Sequence, residues 1–131
     1  MPFVLDSYAL LAHFHDQPSS ARVREILRAS ELGETVYLST INLGEILYIT
    51  ERGRGADVAS RTLGAIDQLG LILVDATRSR VLSAAKIKAQ VAISYADAFA
   101  VSTAIEFDCP VVTGDPEFAS ATGLIEVEWL R

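Results

Sequence analysis

Residues 3–12 read FVLDSYALLA, an apolar tripeptide followed by an aspartate and then by a helical pattern. Phe3–Leu5 predicts a short buried strand, and Ser7–Phe14 predicts a helix that starts directly after it. Asp6 therefore lies where a strand ends and a helix begins. Because strands that alternate with helices build α/β folds, this stretch points to that fold class.

The same alternation continues along the chain. Three further apolar runs predict strands, and a fourth is a weaker candidate: Val36–Leu38, Leu71–Val74, Val111–Thr113 and Ile125–Val127. Helical periodicity and capping residues predict the other helices, Pro18–Ala29, Thr40–Glu51, Ala56–Leu69, Arg78–Ala89 and Tyr95–Phe107. Strands this apolar are buried on both faces, as in parallel sheets. We expect a three-layer α/β/α sandwich around a central, mostly parallel sheet of four to five strands.

The length and composition of the chain limit the classes of function that it can have. The 131 residues predict one domain, residues 1–131. A net charge of −6 argues against an electrostatic nucleic-acid binder, unless metal ions neutralise the charge at the point of contact. No apolar run reaches about 18 residues and the N-terminus has no basic segment, so we expect neither a membrane span nor a signal peptide. The single cysteine, Cys109, suits a reducing cytoplasm.

Four carboxylates occupy positions that suggest a site. Asp6 and Asp115 each follow a predicted strand, at the edge of a parallel sheet where ligands bind. Glu45 and Asp97 lie early in predicted helices. Three of the four also have an ordinary structural interpretation, because Asp6 and Asp115 could cap helices and Asp97 could pair with Ser94 in a pattern like a capping box.

Glu45 is harder to explain by structure alone. It lies one helical turn from apolar residues on the same predicted stripe, namely Ile41, Tyr48 and Ile49. A buried, ionised and unpaired carboxylate costs several kcal/mol, and no Lys or Arg occupies that stripe. Asp97 has a similar position above small and apolar residues of its helix. Both acids would therefore need a cation, a hydrogen-bond network or a raised pKa.

A set of carboxylates without histidine or cysteine favours Mg²⁺ or Mn²⁺ over Zn²⁺. The two histidines, His13 and His15, are two residues apart on a predicted helix end, so they do not share a face. We do not expect them to be ligands. Four converging acids would also repel one another strongly without a bound cation.

Four segments in this order resemble the PIN-domain family of metal-dependent ribonucleases, and in particular the VapC-type toxins of bacterial toxin–antitoxin pairs: FVLDSYALLA, STINLGEILY, SYADAFAVSTA and VVTGDPEF. The resemblance implies a single PIN-like domain with Mg²⁺- or Mn²⁺-dependent endoribonuclease activity. It also implies that the metal and the catalysis belong to four acids, Asp6, Glu45, Asp97 and Asp115. The implied partners are an RNA substrate, a small antitoxin protein and a second copy of the chain.

The resemblance extends to polar neighbours of these acids. It implies that Ser7, Asn42 and Thr113 support the pocket, and it allows Glu117 as an additional acid. Glu117 is nevertheless more typical of a helix start after Asp115 and Pro116. Arginines are good phosphate ligands, and two groups of them are candidates for RNA contacts or for ordinary solvated helix faces: Arg22, Arg24 and Arg28, and Arg52 and Arg54.

Three other functions remain as alternatives. A PIN-like chain can be a catalytically inactive binding module. A receiver-type phosphoacceptor domain is also a small α/β protein, and Asp75 would follow its third strand, but no second acid follows Asp6 directly. A phosphatase with an Asp nucleophile usually has a second Asp two residues later, where this chain has Tyr8.

Overall fold

Five short strands form one sheet in the computed structural model, which describes residues 1–131. The strands are β1 (Phe3–Leu5), β2 (Val36–Ser39), β3 (Ile72–Val74), β4 (Val111–Thr113) and β5 (Val127–Trp129). They lie in the order β3-β2-β1-β4-β5, and every neighbouring pair is parallel. The predicted α/β class and the parallel sheet are confirmed.

Helices connect the strands and cover the sheet. They are α1 (Ser7–Phe14), α2 (Ser20–Glu31), α3 (Thr40–Arg54), α4 (Ala56–Gln68), α5 (Arg78–Gln90) and α6 (Tyr95–Phe107), with a 3₁₀ helix at Pro116–Ala121. The hydroxyl oxygens of Ser39, Thr77 and Ser94 cap α3, α5 and α6, and each accepts a hydrogen bond from a backbone N–H in the first turn of its helix. No helix combines the length and the apolar character that crossing a membrane requires.

Two hydrophobic cores lie on opposite faces of the sheet. Along β1, Val4 packs with residues of α5 and α6, whereas Leu5 packs with residues of α1, α2, α3 and α4. In β4, Val111 and Val112 divide between the two cores in the same way. This alternation follows from the two-residue period of a strand, and it produces the predicted three layers.

The strand order contains one reversal, and it places the site. From β1 the chain adds β2 and β3 on one side, and then crosses back to add β4 and β5 on the other side. Ligands of parallel α/β sheets bind in the crevice at such a reversal, beyond the carboxyl ends of the strands. The pairing of Leu5 with Val112 puts the next residues, Asp6 and Thr113, side by side at that edge.

Several boundaries differ from the predicted ones. Helix α2 begins at Ser20 rather than Pro18, and β5 begins at Val127 rather than Ile125. Helix α3 continues past its predicted end at Glu51 to Arg54 and is capped by Gly55, whose positive φ of 93° is a conformation that glycine adopts readily. Strand β3 is not buried on both faces, because it lies at the sheet edge and pairs only with β2.

Candidate metal centre

Asp6 and Thr113 lie side by side at the carboxyl edge of the sheet. Asp6 is 1% exposed and caps α1, where its Oδ1 accepts a hydrogen bond of 2.9 Å from the backbone N–H of Ala9. Its Oδ2 accepts a hydrogen bond from the hydroxyl of Thr113. The Thr113 oxygen in turn accepts one of 3.0 Å from the backbone N–H of Asp115. Thr113 therefore links the first acid to the loop that carries another.

Three further carboxylates lie together near Asp6. Asp97, Asp115 and Glu117 each offer an oxygen, and these oxygens all lie within 4.8 Å of one another. Asp97 comes from the first turn of α6, and the other two come from the segment after β4. The backbone N–H of Glu117 donates a 2.9 Å hydrogen bond to Oδ1 of Asp115, which fixes the two acids relative to each other.

Two of these acids, Asp6 and Asp97, have raised pKa values. Burial raises the pKa of Asp6 to about 8, against a lowering by Thr113 and Ala9, and the charges of Asp97 and Asp115 raise it further. The pKa of Asp97 is also raised, first by burial and then by the carboxylates of Asp115 and Glu117. None of Asp6, Asp97, Asp115 and Glu117 forms an ion pair with a Lys or Arg.

Neighbouring residues hold the helices at this edge. The amide nitrogen of Asn42 on α3 donates a 3.1 Å hydrogen bond to the carbonyl of Ala96, next to Asp97 on α6. The hydroxyl of Ser7 on α1 donates one of 3.3 Å to the carbonyl of Asn42. Asn42 is fully buried, and its side-chain oxygen has no hydrogen-bond partner. These contacts join α1, α3 and α6 around the carboxylates.

Glu45 differs from what the sequence suggested. It is partly exposed, and its neighbours Tyr48 and Ile49 are 51% and 37% exposed. The expected burial of Glu45 on an apolar stripe is therefore wrong, because only the start of the stripe, at Ile41, packs against the core. Glu45 also lies outside the group of three acids. It follows Asn42 by three residues on the same side of α3, which is the side held against α6.

Glu117 is the residue that sequence reasoning undervalued. Its helix-start role is present, since it lies in the first turn of the 3₁₀ helix that Asp115 caps. The same position also brings its carboxylate to Asp97 and Asp115. The available signal was the spacing of Asp115 and Glu117 around Pro116, because a cap and the acid two residues later belong to one tight turn.

The candidate RNA-binding arginines divide into two groups. Arg22 does not lie at the carboxyl edge of the sheet. Its guanidinium pairs with Glu128 at 2.8 and 3.0 Å and lies over the ring of Phe3, at the start of β1. Arg24 contacts Ser20, its neighbour on α2. The remaining three are exposed and form no ion pair, namely Arg28, Arg52 and Arg54. Only Arg52 and Arg54 lie on α3, the helix of Glu45.

The residues at the carboxyl edge fit a hard divalent cation. Closely spaced carboxylates without His or Cys are the ligand type of Mg²⁺ and Mn²⁺. The raised pKa values of Asp6 and Asp97 show the same requirement, since a cation would stabilise the ionised forms. Chemically, the arrangement can hold a cation at the carboxyl edge of the sheet through oxygen ligands.

Comparisons with known proteins agree with this geometry. The PIN domain profile matches residues 3–124. The structure is similar to a chain of VapBC2 from Rickettsia felis, bound to a promoter DNA fragment, with a TM-score of 0.79 and 17% identity over all of both chains. It is also similar to the Mycobacterium tuberculosis toxin VapC20, which cleaves the sarcin–ricin loop. The TM-score is 0.75 and the identity 17%, over 96% of this chain and 98% of that one.

A third similar structure is DNA-bound VapBC from Salmonella typhimurium, with a TM-score of 0.74, 20% identity and coverage of 98% of this chain and 97% of that one. Among curated proteins, no match was found. At these identities the structural likeness establishes the fold, and it extends over the whole length of the chain.

Proposed function

This chain belongs to the PIN-domain family, and from that premise we propose that it is a Mg²⁺- or Mn²⁺-dependent endoribonuclease that hydrolyses RNA phosphodiester bonds. The observation that carries the proposal is the approach of Asp97, Asp115 and Glu117 to within 4.8 Å at the reversal of the sheet. Such an arrangement is costly in an apo protein, because like charges repel and burial disfavours ionisation. The cost is understandable if the acids serve a bound cation.

The acids have distinct tasks in this proposal. Asp97, Asp115 and Glu117 bind the cation directly through carboxylate oxygens. Asp6 lies below them, held by Thr113 and Ala9, and adds negative charge that strengthens cation binding. A divalent cation bound there supplies Lewis acidity and positive charge for the hydrolysis of a phosphodiester.

Glu45, on α3, completes the proposed set of catalytic acids. It lies on the exposed side of α3, where it can accept a proton from a water molecule or contact a substrate. Ser7 joins α1 to α3 and Asn42 joins α3 to α6, so they are positioning residues. Arg52 and Arg54, in the last turn of α3, are the proposed RNA phosphate contacts on this side.

We further propose that the chain is the toxin of a type II toxin–antitoxin pair that acts in the cytoplasm. The support is the full-length likeness to VapBC structures, together with the cleavage of the sarcin–ricin loop by VapC20. Several large apolar side chains are exposed and could be covered by a small antitoxin or a second copy, among them Tyr48, Ile49, Ile72, Leu73 and Ile105.

Cleavage of total cellular RNA, with the new ends mapped, tests the activity. We expect cleavage at a small number of sites with Mn²⁺ or Mg²⁺, none with EDTA, and none with Asp6→Asn. Asp67→Asn is the matched control, because Asp67 is an exposed acid at the end of α4. Cleavage by Asp6→Asn at the wild-type rate would reject the proposed site. An inactive wild-type protein would favour a binding module.

A further inference from the structure

Tyr8 is an exposed aromatic residue beside the carboxylates. It is the second residue of α1, two positions after Asp6, and 41% of it is exposed. Its ring lies against Gly114, the residue that precedes Asp115. A Cβ atom built on Gly114 would lie 2.7 Å from Cζ of Tyr8 and 3.0 Å from its hydroxyl oxygen. The ring therefore occupies the space that a side chain at position 114 would need.

This contact fixes the ring at the rim of the site. The three atoms nearest to the missing Cβ all belong to Tyr8, so this ring is the first group that a side chain at position 114 would meet. Gly114 has no unusual backbone conformation that would require glycine, and the absence of a side chain is explained by the approach of the ring. Tyr8 stacks on no other aromatic ring in the structure.

We propose that Tyr8 is a stacking platform for an unpaired base of the RNA substrate, next to the phosphodiester that is bound at Asp97, Asp115 and Glu117. This inference rests on the proposed nuclease function. Aromatic side chains beside a phosphate-binding site bind single-stranded nucleic acid by stacking, because every base offers a π face. The contact with Gly114 places the ring next to the loop that carries Asp115.

The substrate class follows from this geometry. A base in a duplex is already stacked between its neighbours, so it cannot reach a protein side chain without being extruded. A platform at Tyr8 therefore favours a loop, a bulge or a single-stranded segment at the cleavage site. Stacking alone distinguishes bases weakly, so Tyr8 selects for unpaired structure rather than for one sequence.

Photocrosslinking tests the platform directly. The probe is a short single-stranded RNA that carries 5-iodouridine, mixed with the protein and Mg²⁺ and irradiated before appreciable cleavage. We expect the crosslinked peptide to contain Tyr8, as identified by mass spectrometry. We also expect Tyr8→Ala to raise the Kd and KM for this RNA about tenfold, with a smaller change in kcat.

Two conservative changes separate stacking from other roles. Tyr8→Phe keeps the ring and should bind within about twofold of wild type, since a platform does not need the hydroxyl. Gly114→Ala should weaken binding about as much as Tyr8→Ala, because its methyl group displaces the ring. In the Tyr8→Ala background, Gly114→Ala should add nothing. Leu32→Ala, at an 89% exposed residue before β2, is the control that should change nothing.

The outcomes distinguish the platform from the nuclease function. If wild type crosslinks at Tyr8 but cleaves no RNA, the platform is supported and the nuclease function is rejected. If wild type cleaves RNA while Tyr8→Ala binds and crosslinks as wild type does, the platform is rejected and the nuclease function remains. A Tyr8→Phe variant as weak as Tyr8→Ala would also reject stacking, because it would assign the effect to the hydroxyl.

Discussion

The hydroxyl of Thr113 donates a hydrogen bond to the carboxylate of Asp6, across 107 residues of sequence. This bond joins the carboxyl ends of β1 and β4, the two strands between which the sheet reverses its order. The same oxygen accepts a hydrogen bond from the backbone of Asp115. One side chain thus holds a buried acid and orients the loop of the carboxylate group.

Thr113→Val tests the contribution of this link to stability. The change keeps the shape of the side chain, but it leaves Oδ2 of Asp6 and the backbone N–H of Asp115 without their hydrogen-bond partner, while Oδ1 of Asp6 keeps its bond from Ala9. We expect the free energy of unfolding to fall by about 1–3 kcal/mol, as measured by urea denaturation. Thr113→Ser should retain most of the stability.

Thr103→Val is the matched control for that comparison. The hydroxyl of Thr103 is also buried, but it donates to the carbonyl of Phe99 within α6, one turn earlier on its own helix. Its loss leaves no buried ion without a partner, so the change should be smaller. Equal effects of the two valine substitutions would show that the Thr113 link has no special role.

The raised pKa of Asp6 predicts a pH-dependent stability of the metal-free protein. The pKa rises from an ordinary 3.8 to about 8, mainly through burial, so the folded chain binds this proton more tightly than the unfolded chain does. The stabilisation is complete below pH 3.8 and is lost as the pH rises through 8. Between pH 6 and pH 8 in EDTA, we expect the free energy of unfolding to fall by about 2 kcal/mol.

Asp6→Asn should remove much of this fall, because an amide does not ionise and can still accept from Ala9 through its oxygen. The exposed acid Asp67 supplies the control, since Asp67→Asn should keep the wild-type pH dependence. A wild-type stability that is flat from pH 6 to pH 8 would show that Asp6 is not protonated in this range.

Divalent metal should stabilise the folded chain through Asp97. Millimolar Mg²⁺ or Mn²⁺ binds only the folded state, and we expect a rise in Tm of roughly 5 °C by scanning calorimetry. Asp97→Asn should reduce the rise in Tm to about 1 °C or less. Without metal, this variant should melt at a higher temperature than wild type, because the repulsion of Asp97 by Asp115 and Glu117 is removed. A full metal response in Asp97→Asn would place the cation elsewhere.

Glu117 should matter for activity although it is exposed. Its carboxylate lies with those of Asp97 and Asp115, so we expect Glu117→Gln to lower kcat/KM for RNA by about 10- to 100-fold, with little change in stability. Glu126→Gln, at an exposed acid before β5, should leave kcat/KM unchanged. Equal activities for Glu117→Gln and wild type would restrict Glu117 to its role in starting the 3₁₀ helix.

Local sequence was sufficient for most of the fold. The apolar runs and the capping residues predicted α6 and β4 with the observed bounds. They also placed Asp6 and Asp115 after strands, because Asp6 directly follows FVL and Asp115 follows VVT after one glycine, which are local signals. The errors at α2 and β5 are shifts of two residues, where Pro18 and Ile125 suited the predicted element but pairing and turn geometry set its start.

The site was only partly predictable, because it depends on distant contacts. The apolar stripe around Glu45 looked buried, yet no element covers Tyr48 and Ile49. The pairing of Arg22 with Glu128 crosses 106 residues and has no local signal. The contact of Tyr8 with Gly114 is of the same kind, since neither residue alone indicates the other.

The rate of RNA cleavage under single-turnover conditions, followed as the Mn²⁺ concentration rises from zero, tests the central claim most directly. The carboxylate group predicts no cleavage in EDTA, a rate that saturates with Mn²⁺ for wild type, and a rate lower by about 100-fold or more for Asp97→Asn at the same concentrations. Asp67→Asn should follow the wild-type curve. Cleavage that persists in EDTA, or that is unchanged by Asp97→Asn, would contradict the assignment of this site as a metal-dependent nuclease centre.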